Sequence, residues 1–291
     1  MLYTIENDAL RVRISDLGAE LQSLQTADGH EYLWQGDPAI WTGRAPNLFP
    51  ICGRLTQGKY TWQGNTYEMT LHGFAKLSVL TAARQEKDRI SFRLESSPET
   101  MAIYPFPFVL TVTYALSGSA LTQTFTVENT GTGVLPFAVG GHPGFNVPLE
   151  EGEAFEDCYV EFDTIEPAKK VVMSETCFDT RRRDPFPLEE GRILRLRHDL
   201  FDHDAIFLTD MSKGVTLKSA KSSRSVHLSY PDMNAVGFWH KPRTTAPYVC
   251  IEPWYSLPAD DGIVDDLATK QLMIRLEPGR TYENSFTITV K

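Results

Sequence analysis

Apolar and polar residues alternate with a period of two along most of this chain. Arg89–Ser96 (RISFRLES), Phe108–Leu116 (FVLTVTYAL) and Ala120–Asn129 (ALTQTFTVEN) place β-branched and aromatic residues at every second position, as strands with one buried and one solvated face do. The Ser-Gly-Ser link at 117–119 joins the last two and predicts a hairpin. GVTLKSA, SVHLSYP, QLMIRLEPG and NSFTITV carry the alternation to the C-terminus. Helical periodicity is scarce: Pro98–Tyr104 and Asp261–Thr269 each predict a turn or two of helix. Glu150–Arg192, with prolines, acidic residues and TRRRD, reads as surface loops with a few short strands. No linker, charge block or repeat divides the chain, so residues 1–291 are expected to form one all-β domain, a large antiparallel β-sandwich with a few short helices.

Composition narrows the partners. Apolar residues make up 42 % and charged residues 23 % of 291, an ordinary balance for a soluble protein. A formal net charge of −10 argues against nucleic acid and against an anionic membrane surface, both of which call for clustered Lys and Arg. The N-terminus lacks the basic start and apolar run of a secretory signal, and no stretch is apolar enough to span a bilayer. Cys52, Cys158, Cys177 and Cys250 form no CxxC pair, so buried free thiols in the cytoplasm are expected rather than disulfides or a zinc site. No phosphate-binding glycine loop, HExxH or GxSxG occurs. The Arg181–Arg183 run is expected to face solvent. With no long amphipathic element in view, the chain is expected to be a monomer or weak dimer.

Two histidines sit beside glycines: His72 in MTLHGFAKL and His142 in VGGHPGFNVPL, the latter read as a turn-like loop. Glycine lets backbone approach a ligand closely. His203 and His240 have aromatic or acidic neighbours; His30, His198 and His227 have no comparable frame. Glu252, in VCIEPWYSLPADDG, precedes a proline and is expected to end a strand, facing the same side as Cys250 and Tyr248. A carboxyl and an imidazole, with ordinary pKa values of about 4.3 and 6.5, form the pairing that general acid–base catalysis needs. A structural salt bridge is the alternative role for Glu252, and packing for any single histidine. Trp41, Trp62, Trp239 and Trp254 offer flat faces suited to sugar C–H surfaces.

Together these segments resemble the aldose 1-epimerase (mutarotase) family over nearly the whole chain. CGRLTQGKYTWQG resembles its early arginine segment, which puts Arg54 on the substrate-binding arginine. LHG at 71–73 matches the segment of its first active-site histidine, His72 here; HPGFN at 142–146 that of its acid histidine, His142; and IEPW at 251–254 that of its catalytic glutamate, Glu252. WTGRAPNLFP resembles a compact bacterial branch and makes Arg44 a second candidate for the pocket. In two places the chain departs from the family's galactose enzymes: Phe74 follows Gly73 where they double the glycine, and FDHDAIFL offers Asp202 or Asp204 for the sugar-binding aspartate, with Asp204 preferred on its spacing to Phe207.

The resemblance implies a galactose mutarotase-like supersandwich, a sugar substrate and interconversion of α and β anomers without metal or other cofactor. Glu252 would be the base and His142 the acid, facing each other across a cleft from opposite edges of the sugar ring. His72, Arg54, Asp204, Arg44 and Trp254 would hold the substrate. Two other readings stand beside it. One is a hexose-6-phosphate mutarotase, with Arg44, Arg54 or Lys241-Pro242-Arg243 as the phosphate site. The other is a sugar sensor that binds without turnover.

Overall fold

The computed structural model describes residues 1–165 and 167–291. Two large antiparallel sheets dominate. The first has nine strands, ordered from edge to edge Ile193–Arg195, Cys158–Phe162, Gly214–Ser219, Ser225–Ser229, Thr281–Val290, Ala120–Asn129, Phe108–Ser117, Arg89–Glu95 and Thr81–Gln85. Its centre is the period-two sequence: along Ala120–Asn129 every second residue (Leu121, Gln123, Phe125, Val127, Asn129) is buried. The expected hairpin is present, with Ser117 opposite Ala120 and Gly118 in the left-handed conformation at φ 55°.

The second sheet has eight strands. Its core strand, Tyr248–Trp254, is buried at every position and pairs with Ala235–Trp239 on one side. Its other side is shared by two short pieces, Gly140–Gly141 and Gly144–Asn146. The sheets pack face to face: Phe162 meets Phe238 with ring centroids 5.8 Å apart, and a Cβ on Gly141 would lie 2.6 Å from the Phe286 ring. Buried apolar residues from Ile5 to Val290 make one continuous cluster.

The helix expected at Pro98–Tyr104 forms over Pro98–Ile103, capped by Ser97, whose side chain accepts from the Thr100 N–H. The one expected at Asp261–Thr269 does not form. Its backbone bonds go instead to a neighbouring strand: the Thr61 N–H donates to Asp265 O (2.8 Å) and the Leu267 N–H to Thr61 O (3.0 Å). The 150–192 region holds three strands, Cys158–Phe162, Lys169–Met173 and Asp179–Pro185, between loops. Arg181, Arg182 and Arg183 lie on the last of these, each paired with a carboxylate: Asp260, Asp184 and Asp179. Among the described residues no helix is long and apolar enough to cross a membrane.

Candidate active site

The register of the second sheet creates the site. Gly140 pairs with Trp254 and Gly144 with Cys250, so the residue midway between the glycines, His142, stands directly across from Glu252. Directly opposed residues on antiparallel strands have neighbouring side chains, and His142 Nε2 lies 3.4 Å from Glu252 Oε2, with the two side chains 10 % and 3 % exposed. On the other flank Glu252 faces Gly237, which has no side chain to crowd it. The glycines before His142 serve close packing: a Cβ on Gly140 would come 2.9 Å from the Trp254 ring. His142 is thus part of a strand interruption inside the sheet, where the sequence had pointed to a loop. The two side chains touch each other, where they were expected to face across a cleft.

Burial disfavours both charged forms. It pushes the Glu252 carboxyl well above its ordinary range and the His142 imidazole well below its own. A single proton shared by the pair, with the carboxyl protonated and the imidazole neutral, is the arrangement this favours.

His72 arrives from another direction. It and Gly73 both adopt left-handed backbone, at φ 65° and 74°. A Cβ on Gly73 would sit 2.1 Å from Phe49 O, so only glycine fits. The His72 N–H donates to Gly53 O (2.8 Å), and the Gly53 N–H donates back to His72 Nδ1 (3.0 Å). Because Nδ1 accepts, the ring proton is assigned to Nε2, and His72 is a neutral donor. Burial lowers its pKa in the same sense. Its ring meets those of His142 and Trp254 edge-on, with centroids 5.5 and 5.4 Å away.

These groups line one cleft of about 320 Å³, with Arg54, Asp204, Trp41, Trp239 and Trp254 also in its wall. Arg54 Nη2 donates to Asp204 Oδ2 at 3.0 Å. Asp202 belongs to a neighbouring open cleft, and its Oδ1 accepts from the Arg243 N–H (3.2 Å). Trp41 and Trp239 flank the His142 ring, with centroids 5.2 and 5.6 Å away.

A family model for aldose 1-epimerase matches residues 1–289. The chain belongs to the aldose 1-epimerase family. It is similar to protein LacX (chromosomal) of Lactococcus lactis subsp. lactis, with 34 % identity covering 100 % of this chain and 99 % of that protein. It is also similar to two solved structures. One is a galactose mutarotase related enzyme from Lactobacillus acidophilus (37 % identity, TM-score 0.95, covering 100 % of this chain and 97 % of the other). The other is a galactose mutarotase-like protein from Lactobacillus casei ATCC 334 (31 %, TM-score 0.95, 100 % of both chains). The protein is accordingly an isomerase of the aldose 1-epimerase type, with the galactose mutarotase-like sandwich.

Not every candidate reaches the cleft of this epimerase. Arg44 does not line it: its guanidinium donates to Gln22 O (2.7 Å) and Gln35 Oε1 (3.2 Å), and its carbonyl accepts from the Gly144 N–H (2.8 Å). It braces the strand beside His142 from behind. Trp62 packs against Phe106 instead, centroids 4.8 Å apart. Lys241 Nζ donates to Ala39 O (3.2 Å). His198 and His240 bond to each other (Nδ1 to Nε2, 3.1 Å), away from the cleft. Lys76, Met173 and Cys177 line the cleft and had not been singled out. Lys76 is four residues after His72, but nothing local separates it from a solvated lysine.

Proposed function

We propose that Glu252 and His142 are the base and acid of anomer exchange on an aldohexose, with His72, Arg54, Asp204 and Trp254 holding the sugar. The observation that carries this reading is the direct opposition of residues 142 and 252, 3.4 Å apart, in the wall of a cleft. In a pyranose the anomeric oxygen and the ring oxygen are bonded to the same carbon, so groups serving them must be close neighbours rather than on opposite edges of the ring.

Ring opening starts from the ion-pair form. Glu252 takes the proton of the anomeric hydroxyl and His142 gives one to the ring oxygen. The bond from C1 to the ring oxygen breaks and leaves the aldehyde. Rotation about C1–C2 turns the other carbonyl face, and closure reverses both transfers. The pair holds one proton before opening and one after it; only the location changes. With the aldehyde bound, the carboxyl is protonated and the imidazole neutral. Burial favours that same form, so the site's electrostatics support the open-chain state. The His72 Nε2–H and the Arg54 N–H groups not turned to Asp204 suit sugar oxygens near the reacting centre. The tryptophan faces suit its C–H surface.

Proton transfer accounts for the chemistry without a cofactor. Ligand atoms of His142, Cys250 and Glu252 do lie within 4.8 Å of one another, and we assign the first and last to proton transfer. All four cysteines are free, three of them buried, which fits the cytoplasm, and the continuous core fits one domain.

The test is exchange between the α and β anomers of galactose or glucose, followed by polarimetry in deuterated water. Accelerated equilibration with hydrogen retained at C2 is expected. Deuterium entering C2 would mean enolisation and would refute the mechanism.

A further inference from the structure

Asp204 reaches the cleft from an unfavourable backbone. Its φ of 76° lies in the left-handed region, which a residue with a side chain keeps only where its surroundings hold it. It closes a run of tight turn that begins at His198. The helical turn His198–Phe201 is followed by Asp202, and the Asp204 N–H donates to Phe201 O (3.0 Å). The run is anchored at its start. The His198 ring stacks on Phe155 with centroids 3.9 Å apart, and its Nδ1 lies 3.1 Å from His240 Nε2. His240 is fully buried and follows Trp239, which is in the cleft wall. Its ring packs on those of Phe155, Phe201 and Tyr248, with centroids 5.7, 4.5 and 6.3 Å away.

The proton positions in this pair follow from its partners. His240 Nδ1 is 2.8 Å from Lys241 O, which only accepts, so Nδ1 carries the proton and Nε2 is a lone pair. His198 Nδ1–H is then the donor. Burial lowers the pKa of His240, which keeps its ring neutral. The ring has no second tautomer open to it, because moving the proton to Nε2 would break the bond to Lys241 and set two N–H groups against each other. A further bond joins the same two segments: the Arg243 N–H donates to Asp202 Oδ1 (3.2 Å). The run from 198 to 204 is thus tied to the segment from 239 to 243 at two points. Neither histidine lines the cleft.

Resting on the reading above in which Asp204 holds the sugar, we propose that His198 and His240 are positioning residues for substrate binding. Their hydrogen bond fixes the turn that presents the Asp204 carboxylate to Arg54 and to a sugar hydroxyl.

The test is steady-state anomer exchange on galactose or glucose, with thermal melts, for His198→Phe, His198→Asn, Asp204→Asn and the His198→Phe, Asp204→Asn double variant. Phenylalanine keeps a ring on Phe155 but has no N–H, so the buried His240 Nε2 is left without a donor. Loss of such a bond corresponds to about 5–10-fold, expected as a rise in KM with kcat within about 2-fold of wild type. Asparagine places an amide N–H where Nδ1–H stood, and His198→Asn is expected to keep KM within about 2-fold of wild type. In the Asp204→Asn background His198→Phe should raise KM by less than about 2-fold, because the group it positions is already gone. A lowered melting temperature with unchanged KM in His198→Phe would make the pair structural only and overturn this inference. So would an effect on kcat alone, a raised KM in His198→Asn, or a full rise in KM that survives in the double variant. Asp204→Asn with a wild-type KM would overturn the sugar-holding role of Asp204 and this inference with it. No exchange by wild type would overturn the anomer-exchange reading itself.

Discussion

Glu252→Gln isolates the chemistry from the fold. The side chain is 3 % exposed, faces Gly237 across one strand pair, and has His142 Nε2 at 3.4 Å across the other. An amide has the same shape and creates neither cavity nor clash, but it cannot take a proton. Loss of one general base lowers kcat by about 10²–10⁴-fold, or about 2.7–5.4 kcal/mol on the barrier, with KM changed little. Stability should move the other way. Burial raises the carboxyl's folded pKa above the ordinary 4.5, so the stability it contributes is fully present below that value and is lost as pH rises through the folded pKa. Glutamine does not ionise and removes this loss. The melting temperature of the variant should match wild type near about pH 5 and equal or exceed it near about pH 8. Anomer exchange followed by polarimetry and thermal melts at the two pH values check both halves. A variant with kcat within about 3-fold of wild type would refute the catalytic assignment. A variant that melts below wild type near about pH 8 while matching it near about pH 5 would refute the electrostatics.

The pH profile follows from the same pair. Burial lowers His142 from 6.5 and raises Glu252 from 4.5, so the single shared proton is kept across neutral pH. kcat/KM should therefore be flat there, without the limb near 6.5 of a free imidazole; pH–rate measurement on a neutral hexose checks it. Asp204→Asn weakens the 3.0 Å pairing with Arg54 and should raise KM about 10-fold with a smaller effect on kcat, as steady-state kinetics would show. Gly73→Ala forces a Cβ to 2.1 Å from Phe49 O at φ 74°; it should cost about 2 kcal/mol or more by chemical denaturation.

Much of the fold was legible because its strands are locally amphipathic. Ala120–Asn129 buries every second residue, and a two-residue Gly-Ser link sets its hairpin. Glu252 was legible as a strand residue facing with Cys250, since alternation is local, but the strand it was expected to end runs on through Pro253 to Trp254, which pair with Val236 and Ala235. The setting of His142 was not. Gly-Gly and Pro-Gly around it signal a turn in sequence, yet Gly140 and Gly141 are small because Trp254 and Phe286 press on them, a requirement set by residues more than a hundred positions away. The Arg44 motif marked the right neighbourhood but not the direction of the guanidinium, which Gln22 and Gln35 determine. Asp261–Thr269 has helix-compatible residues, but its carbonyls and amides are used by Thr61. Lys76 could not be found from sequence because nothing local distinguishes it from a solvated lysine, and only the assembled fold brings it to the cleft wall.

In the proposed mechanism His142, placed opposite Glu252 by strand register, donates the proton that opens the sugar ring. The most direct measurement is the rate of anomer exchange in His142→Asn against wild type, at matched folded protein. A fall in kcat of about 10²–10⁴-fold is expected, with the Glu252→Gln, His142→Asn double variant no slower than the worse single one, because the two residues act as a unit. A His142→Asn enzyme that exchanges anomers at the wild-type rate would contradict it.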